Sequence, residues 1–372
     1  MWKLLKTNLI IEKSSKKNIF AFIFVALFII GLAFYMENED VGNLVALKTS
    51  EHQNITSALS QFQVMDASKD GDSNELYKNL NEQQRLISLQ RVAAKLDKPD
   101  LFANSAIELA NLREDAFTLE GYEEVAVYLP TYTVNKLESI FYETLKTLDI
   151  PIFKDNLSFY QFLIFLFGIL GSIWFIFLAF YTCGIMIEDF RHTSLIKGYP
   201  IPFDQYVAAK GISTMSIILI FIVELFLCSL LLIYYRGLGD PTYPVAVFDG
   251  NYEIYSIAQY IGICLLYMIS IAVFVILLSI ILNVLLKNMY LTLFVELLLF
   301  ALPTLFPRMI SLFPYNPFNY MNFTNLLNGV SLDLAHPVAL NSTYGLISIG
   351  LSIVVLIVVA NLFLSTGKLK RV

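Results

Sequence analysis

"IEDFRHTSLIKGYPIPFDQYVAAK" (Ile187–Lys210) lies between two long apolar runs, yet it is charged, punctuated by proline and amphipathic. Helices in bundles are usually joined by roughly two to eight residues, so more than twenty is far longer than a connector needs. Glu188 and Asp189 suit the first turn of a short helix, where carboxylates cap free N–H groups and complement the positive end. Phe190, Leu195 and Ile196 offer a few apolar contacts, and Gly198, Pro200 and Pro202 end the helix. Lys210 marks the return to the next apolar run. Two readings follow: a short rigid helix presented to a partner's groove, or a connector lying on a membrane surface.

The flanking runs place that stretch in a membrane protein. The 372 residues are 57% hydrophobic and only 15% charged, against roughly 25% charged in soluble domains. A bilayer core needs about 20 apolar residues in a helix. Six segments qualify, near 18–36, 159–187, 212–235, 256–286, 289–307 and 343–364. The first, "NIFAFIFVALFIIGLAFYM", has no small-residue cleavage site after it and reads as a retained span, not a signal peptide. The expected fold is therefore an all-α polytopic membrane protein with six transmembrane helices. Cys183, Cys228 and Cys264 all fall inside apolar runs, without C-x-x-C spacing, which excludes a disulfide framework or zinc site.

Lysine and arginine near span ends favour the cytoplasm. Lys3, Lys6, Lys13, Lys16 and Lys17 precede the first span, Arg191, Lys197 and Lys210 lie in the quoted segment, Lys287 follows the fourth span, and Lys368, Lys370 and Arg371 follow the sixth. With six spans all of these face one side, so both termini and the quoted segment are expected in the cytoplasm. Residues 1–17 read as a cytoplasmic amphipathic helix, with Trp2, Leu5, Leu9 and Ile10 on one side. Residues 37–157 then form an extracellular insert, and 158–372 a five-span core with its cytoplasmic segment at 188–210. The insert holds 21 acidic and 11 basic residues, a balance of −10, whereas the remainder carries +4. Its pattern is helical: Val41, Leu44, Ile55, Leu59 and Phe62 follow one face and Leu76, Leu80, Ile87 and Leu96 another. "DASKDGDS" (Asp66–Ser73), Pro99 and Pro130 divide it.

Several chemistries are excluded by what is missing. No G-x-x-x-x-G-K-[ST] loop exists to cradle nucleotide phosphates. The histidines, His52, His192 and His336, are scattered, and no nucleophile stands beside a base, so the chain does not read as an enzyme. Basic patches interleaved with aromatics, as nucleic acid would need, are absent. Two carboxylates fall inside spans, Glu224 in "IFIVELFLCS" and Glu296 in "LFVELLLFAL". Such groups usually face protein or water. Each reads either as the lining of a translocation path or as a glutamate held between helices, and nearness to the lysine-bearing turn favours the second for Glu296.

The quoted segment resembles the signature of type-2 ABC exporter permeases: a span ending in an acidic pair, a Thr/Ser-Leu helix, a proline turn and a lysine at the next span. "MWKLLKTNLIIEK" is similar to the family's N-terminal helix, and "FPYNPFNYMNF" (Phe313–Phe323) to its asparagine- and proline-rich stretch before the last span. The insert is longer than the first loop of the simplest members, and Phe190-Arg191-His192-Thr193-Ser194 lacks the glycine often found after the acidic pair. The resemblance implies that 188–203, with Glu188, Asp189, Phe190, Arg191, Leu195 and Ile196, form a coupling helix seated in a separate cytoplasmic ABC ATPase subunit, present in two copies. ATP and Mg would be bound there and no cofactor by this chain. A second permease subunit, identical or homologous, is implied too, within a bacterial cytoplasmic membrane.

In that family the path lies between the two permease halves and is lined chiefly by the second and fifth spans. The residues expected near it here are Gly168, Gly171 and Ser172, with Glu224 and Glu296. For the glycines the competing reading is close helix packing. The cargo implied is hydrophobic or peptidic, such as a bacteriocin, toxin or antibiotic. The alternative is a non-transporting sensor or immunity protein that binds a peptide through its extracellular domain.

Overall fold

The computed structural model describes residues 2–39, 41–65, 75–152, 158–191, 202–335 and 340–365. Helix α1 (Trp2–Lys13) precedes α2 (Lys16–Asn38), and α3 (Leu44–Met65), α4 (Glu75–Lys95), α5 (Pro99–Ala116) and α6 (Tyr132–Leu148) build the insert. The remainder contains α7 (Phe159–Thr182), α8 (Phe203–Ser229), α9 (Ile257–Leu286), α10 (Met289–Leu305) and α11 (Ser342–Ser365). Five helices are long and apolar enough to cross a membrane: α2, α7, α8 with its short continuation to Arg236, α9 and α11. In outline, then, the chain is a helical polytopic membrane protein. The apolar helix α10 has only 17 residues.

Local chemistry sets the ends of these helices. Ser256 and Gln259 form a reciprocal capping box at the start of α9. Lys287, at φ 52°, closes the turn after it, and Asn288 accepts from the N–H groups of Tyr290 and Leu291 to open α10. Thr131 caps α6 through the Val134 N–H. Pro99 stands in the first turn of α5, where its missing N–H costs nothing.

α9 is the hub of the membrane part and packs against α7, α8, α10 and α11. α1 and α2 both lie along α8. Trp174 is buried in α7 and donates to the Met268 carbonyl on α9 at 2.9 Å. Glu37, at the end of α2, pairs with Arg236.

Within the insert α3, α4, α5 and α6 pack in sequence order. Ile55, Leu59, Phe62, Leu76, Leu80 and Ile87 are buried as their periodicity requires, but Leu96 is exposed beyond the end of α4. "DASKDGDS" lies outside the described residues. Two apolar clusters, one around Leu80 and Leu109 and one around Phe102 and Tyr142, form its core. A buried charge group belongs to the same interior. Lys48 donates to both Glu51 carboxylate oxygens at 2.8 and 3.0 Å. Arg113 reaches Glu51 at 3.1 Å and Glu138 at 2.9 Å.

Two features depart from the expected all-α core of simple spans. Pro244–Phe248 and Tyr252–Ser256 pair as an antiparallel hairpin, β1 and β2, and α6 rests on it. Its turn residue Asp249 accepts from the Ser342 N–H at 2.5 Å and from the Ser342 hydroxyl at 2.6 Å, tying the hairpin to the start of α11. The second departure follows α10. The stretch read as an asparagine- and proline-rich loop is instead a folded wedge: short helices at Pro317–Tyr320 and Phe323–Leu327, with Tyr320, Met321, Phe323, Leu326 and Leu327 buried.

Non-helical backbone is tolerated at membrane depth only where protein satisfies it. The asparagines do this here. Asn316 accepts from the Phe318 N–H, Asn322 accepts from the Asn325 N–H, and Asn319 donates to the Phe313 carbonyl. The Phe318 ring meets Phe175 of α7 and Phe274 of α9.

Candidate functional site

The residues expected to form a path do not come together. Gly168, Gly171 and Ser172 share one face of α7, and the wedge packs on it at Gly171 and Ser172 but leaves space beside Gly168. Thr324 donates to the Gly168 carbonyl, and a Cβ placed on Gly171 would stand 2.8 Å from the Phe323 ring. Ser172 donates to Asn322 at 3.4 Å. The element that approaches closely at Gly171 is a five-residue helix and not another span. Glu296 sits about two turns inside α10, fully buried, and accepts from Ser279 of α9 at 2.6 Å. Glu224 lies on α8, half-buried, with Oε2 out of solvent and without a hydrogen-bond partner.

What the fold does gather is a set of polar contacts at the foot of α7, where the chain leaves the bundle for the quoted segment. Thr182 shares a hydrogen bond of 2.7 Å with Ser279, which links it to Glu296. One turn along α9, buried Asn283 donates to the Cys183 carbonyl at 2.7 Å and to Thr292 at 3.1 Å, and accepts from the Met186 N–H at 3.1 Å. A single amide thus fastens both sides of the turn at 183–186 to α9. On the opposite flank Tyr181 donates to Asn18 at 2.7 Å, and Asn18 donates to the Glu12 side chain at 2.7 Å. Lys17 donates to the Tyr181 carbonyl at 2.5 Å and lies 4.1 Å from its ring centroid. The junction of α1 and α2 is fixed to the same point.

The short helix Ile187–Arg191 then emerges. Asp189 accepts from Tyr206 at 3.0 Å and pairs with Lys210, both on α8. Its carboxylate is engaged inside the chain, whereas the acidic pair was expected to face a partner. Lys210 falls in the second turn of α8, because that helix begins at Phe203 and not near 212. Phe190 is partly buried against the membrane core. Leu195 and Ile196 lie outside the described residues, as do the side chains of Glu188 and Arg191.

Removing one member of a buried pair costs about 3 kcal/mol or more, because a charge is left behind without its partner. Lys210→Met should therefore raise amide exchange through Ile187–Arg191 by about a hundredfold in hydrogen-exchange mass spectrometry. Asp189→Asn with Lys210→Met should restore most of the protection. Equal exchange in the single and double variants would mean that the pair does not anchor the helix.

The anchoring network uses short polar side chains on different spans, and no local motif announces it. The available signal was polarity inside apolar runs: Ser279 and Asn283 stand among aliphatic residues, and Thr182 and Thr292 among aromatic and aliphatic ones. Among the described residues no group of three or more histidine, cysteine, aspartate or glutamate side chains could hold a metal ion. Comparison with known proteins finds no matching family model, no matching curated protein and no matching solved structure.

Proposed function

We propose that this chain is the permease subunit of an ATP-driven exporter, forming half of a translocation path for a hydrophobic or peptide substrate. The observation that carries the reading is the fastening of the polar segment. The helix Ile187–Arg191 follows α7 through a turn that Asn283 holds to α9, and Asp189 and Lys210 tie it to α8. A force applied at residues 187–191 would reach three spans directly, which suits an element pushed by a motor. Without a phosphate-binding loop of its own, the chain would take that motor from a separate cytoplasmic ATPase subunit. Two such subunits and a second permease copy would complete the transporter in a cell membrane. In this assignment the lysine-rich side is cytoplasmic and the acidic insert extracellular.

The reading is tested by purifying the native chain from gently solubilised membranes beside a variant carrying Glu188→Ala, Leu195→Ala and Ile196→Ala. Asp189 is left in place because Lys210 holds it. The native chain should retain a soluble ATPase, with hydrolysis in the eluate, and the variant should lose both at equal helical content. Equal ATPase in both eluates, or none in either, overturns the coupling assignment.

The second reading, a sensor or immunity protein, draws on a cavity of about 230 Å³ in the insert between α5 and the end of α6. Asp100, Asn104 and Lys146 line it beside Leu145 and Ile150. That mixed wall suits a peptide. Peptide binding that persists in the triple variant, with no ATPase ever retained, would favour this reading.

A further inference from the structure

One helix-start signature occurs twice in the chain, and the two copies end differently. Ser256-Ile257-Ala258-Gln259 opens α9 as a closed capping box, in which each side chain accepts from the other residue's backbone N–H. Ser158-Phe159-Tyr160-Gln161 opens α7 with the same S-x-x-Q spacing. Ser158 also has the same backbone, φ −69° and ψ 159° against −69° and 156° at Ser256. Yet this box is open. The Ser158 side chain makes no cap, and Ser158 Oγ and both amide atoms of Gln161 are buried with no hydrogen-bond partner among the described residues. Gln161 as a whole is only 4% exposed, so bulk solvent does not satisfy its amide.

What stands there instead is the loop after the continuation of α8. The Phe159 and Tyr160 N–H groups donate to the carbonyls of Gly237 and Leu238, both at 3.2 Å. Gly239 passes so close that a Cβ would stand 2.5 Å from Ser158 Oγ and 2.8 Å from Gln161 Oε1. Both oxygens therefore face the loop. Gly237 and Gly239 take φ of 79° and 80°, a region that suits glycine alone. Two arrangements compete for the start of α7. In one the loop's carbonyls serve two N–H groups but leave two buried polar side chains unsatisfied. In the other the loop withdraws, and Ser158 and Gln161 cap the helix themselves.

We propose that the loop at 237–239 and the start of α7 form a two-state latch, closed when the loop caps α7 and released when Ser158 and Gln161 close their box. The latch joins α7 to α8 at the ends remote from the polar segment, whereas Asp189 and Lys210 tie the chain to α8 beside that segment. Release frees the remote ends to part while the ion pair holds the others, a hinge motion about the polar segment. The latch stands independently of the exporter reading, and its test needs no ATPase.

Hydrogen exchange of the full chain in phosphatidylcholine nanodiscs, resolved to single amides by electron-transfer fragmentation, reads the latch directly. The Phe159 and Tyr160 N–H groups are bonded when it is closed and free when it is released. Ser158→Ala deletes the cap of the released state and the orphaned hydroxyl of the closed one. Both amides should therefore exchange about fivefold more slowly, the effect of one N-cap. Loss of a cap that is already made, as in Ser256→Ala, has the opposite sign. Gly239→Ala sets a methyl against Ser158 Oγ at positive φ and should quicken exchange at both amides about tenfold, with helical content unchanged.

The latch is overturned if Ser158→Ala quickens exchange at Phe159 and Tyr160 or leaves it unchanged, since Ser158 then has no second state to serve. It is equally overturned if folded Gly239→Ala keeps native protection there. Where Gly239→Ala does not fold, Ser158→Ala, which removes a single oxygen, decides alone.

Discussion

Arg113→Met is expected to unfold the insert locally while leaving the spans assembled. Arg113 is 4% exposed and bridges Glu51 on α3 to Glu138 on α6, from its own place on α5. Without it Glu138 loses its only ion-pair partner among the described residues, and Glu51 keeps Lys48 alone. Breaking a buried charge network from one side costs about 3–5 kcal/mol, a large share of the roughly 5–15 kcal/mol that holds a domain together. Hydrogen exchange in the full chain should show α3, α5 and α6 exchanging two to three orders of magnitude faster, with α7 and α9 unchanged. Glu138→Gln should cost far less, because that carboxylate is 29% exposed and partly solvated. Native protection in Arg113→Met would mean that the apolar clusters alone define the insert.

The same group makes the insert acid-sensitive. Burial pushes the Glu51 carboxyl up, but the Lys48 ammonium and Arg113 guanidinium outweigh it and hold the group below its ordinary value of 4.5. A carboxyl depressed in the folded state contributes stability that is fully present above the unfolded value. That contribution is lost as the pH falls through the folded one. Protection of α3 and α5, corrected for intrinsic exchange, should therefore decline below pH 4.5, and Glu51→Gln should remove that dependence.

The second large effect is expected from one glycine of a pair. Gly171→Val places a branched side chain where the Thr324 hydroxyl and the Phe323 ring already stand. The short helix Phe323–Leu327 must withdraw and give up the Thr324 hydrogen bond to the Gly168 carbonyl. Overpacking of this kind costs about 1–3 kcal/mol, and the lost bond to a buried carbonyl adds to it. Gly168, one turn earlier, has nothing within 4 Å of a Cβ. Gly168→Ala should therefore be neutral, or stabilising by up to about 1 kcal/mol through helix propensity. Unfolding of both variants in detergent, followed by Trp174 emission, separates them. If both lower the transition equally, the wedge does not pack on α7 as described. Thr324→Ala should recover part of the loss in Gly171→Ala.

That contrast marks how far the sequence could be read. Apolar run length located the long apolar helices, except that α8 starts nine residues before the expected 212. Helical periodicity likewise placed Ile55, Leu80 and Ile87 in the core of the insert. The hairpin was legible but passed over: "PVAVF" and "YEIYS" flank Asp249-Gly250, and Gly250 takes the positive φ such turns demand. The wedge was harder. Its asparagines and prolines are the composition of an exposed loop, and only the hydrogen bonds they make to the wedge's own backbone reveal that they allow it to be buried. The contacts of Asp189 were hidden for a related reason. Its partner Lys210 lies 21 residues away, brought near by the backward extension of α8, which no local pattern encodes.

The shortness of α10 has a consequence for the surrounding lipid. Seventeen residues at about 1.5 Å each reach only about 26 Å, less than the roughly 30 Å of a hydrocarbon core. Beyond its end Phe306, Leu312, Phe313 and Tyr315 are all more than half exposed. Among them Tyr315 is the type enriched at the headgroup level. A bilayer crossed by α10 would have to thin along this flank while keeping its full depth beside α9. Hydrophobic mismatch would then be a control parameter: lengthening the acyl chains of the host membrane would strain α10 and the wedge behind it before the five longer helices.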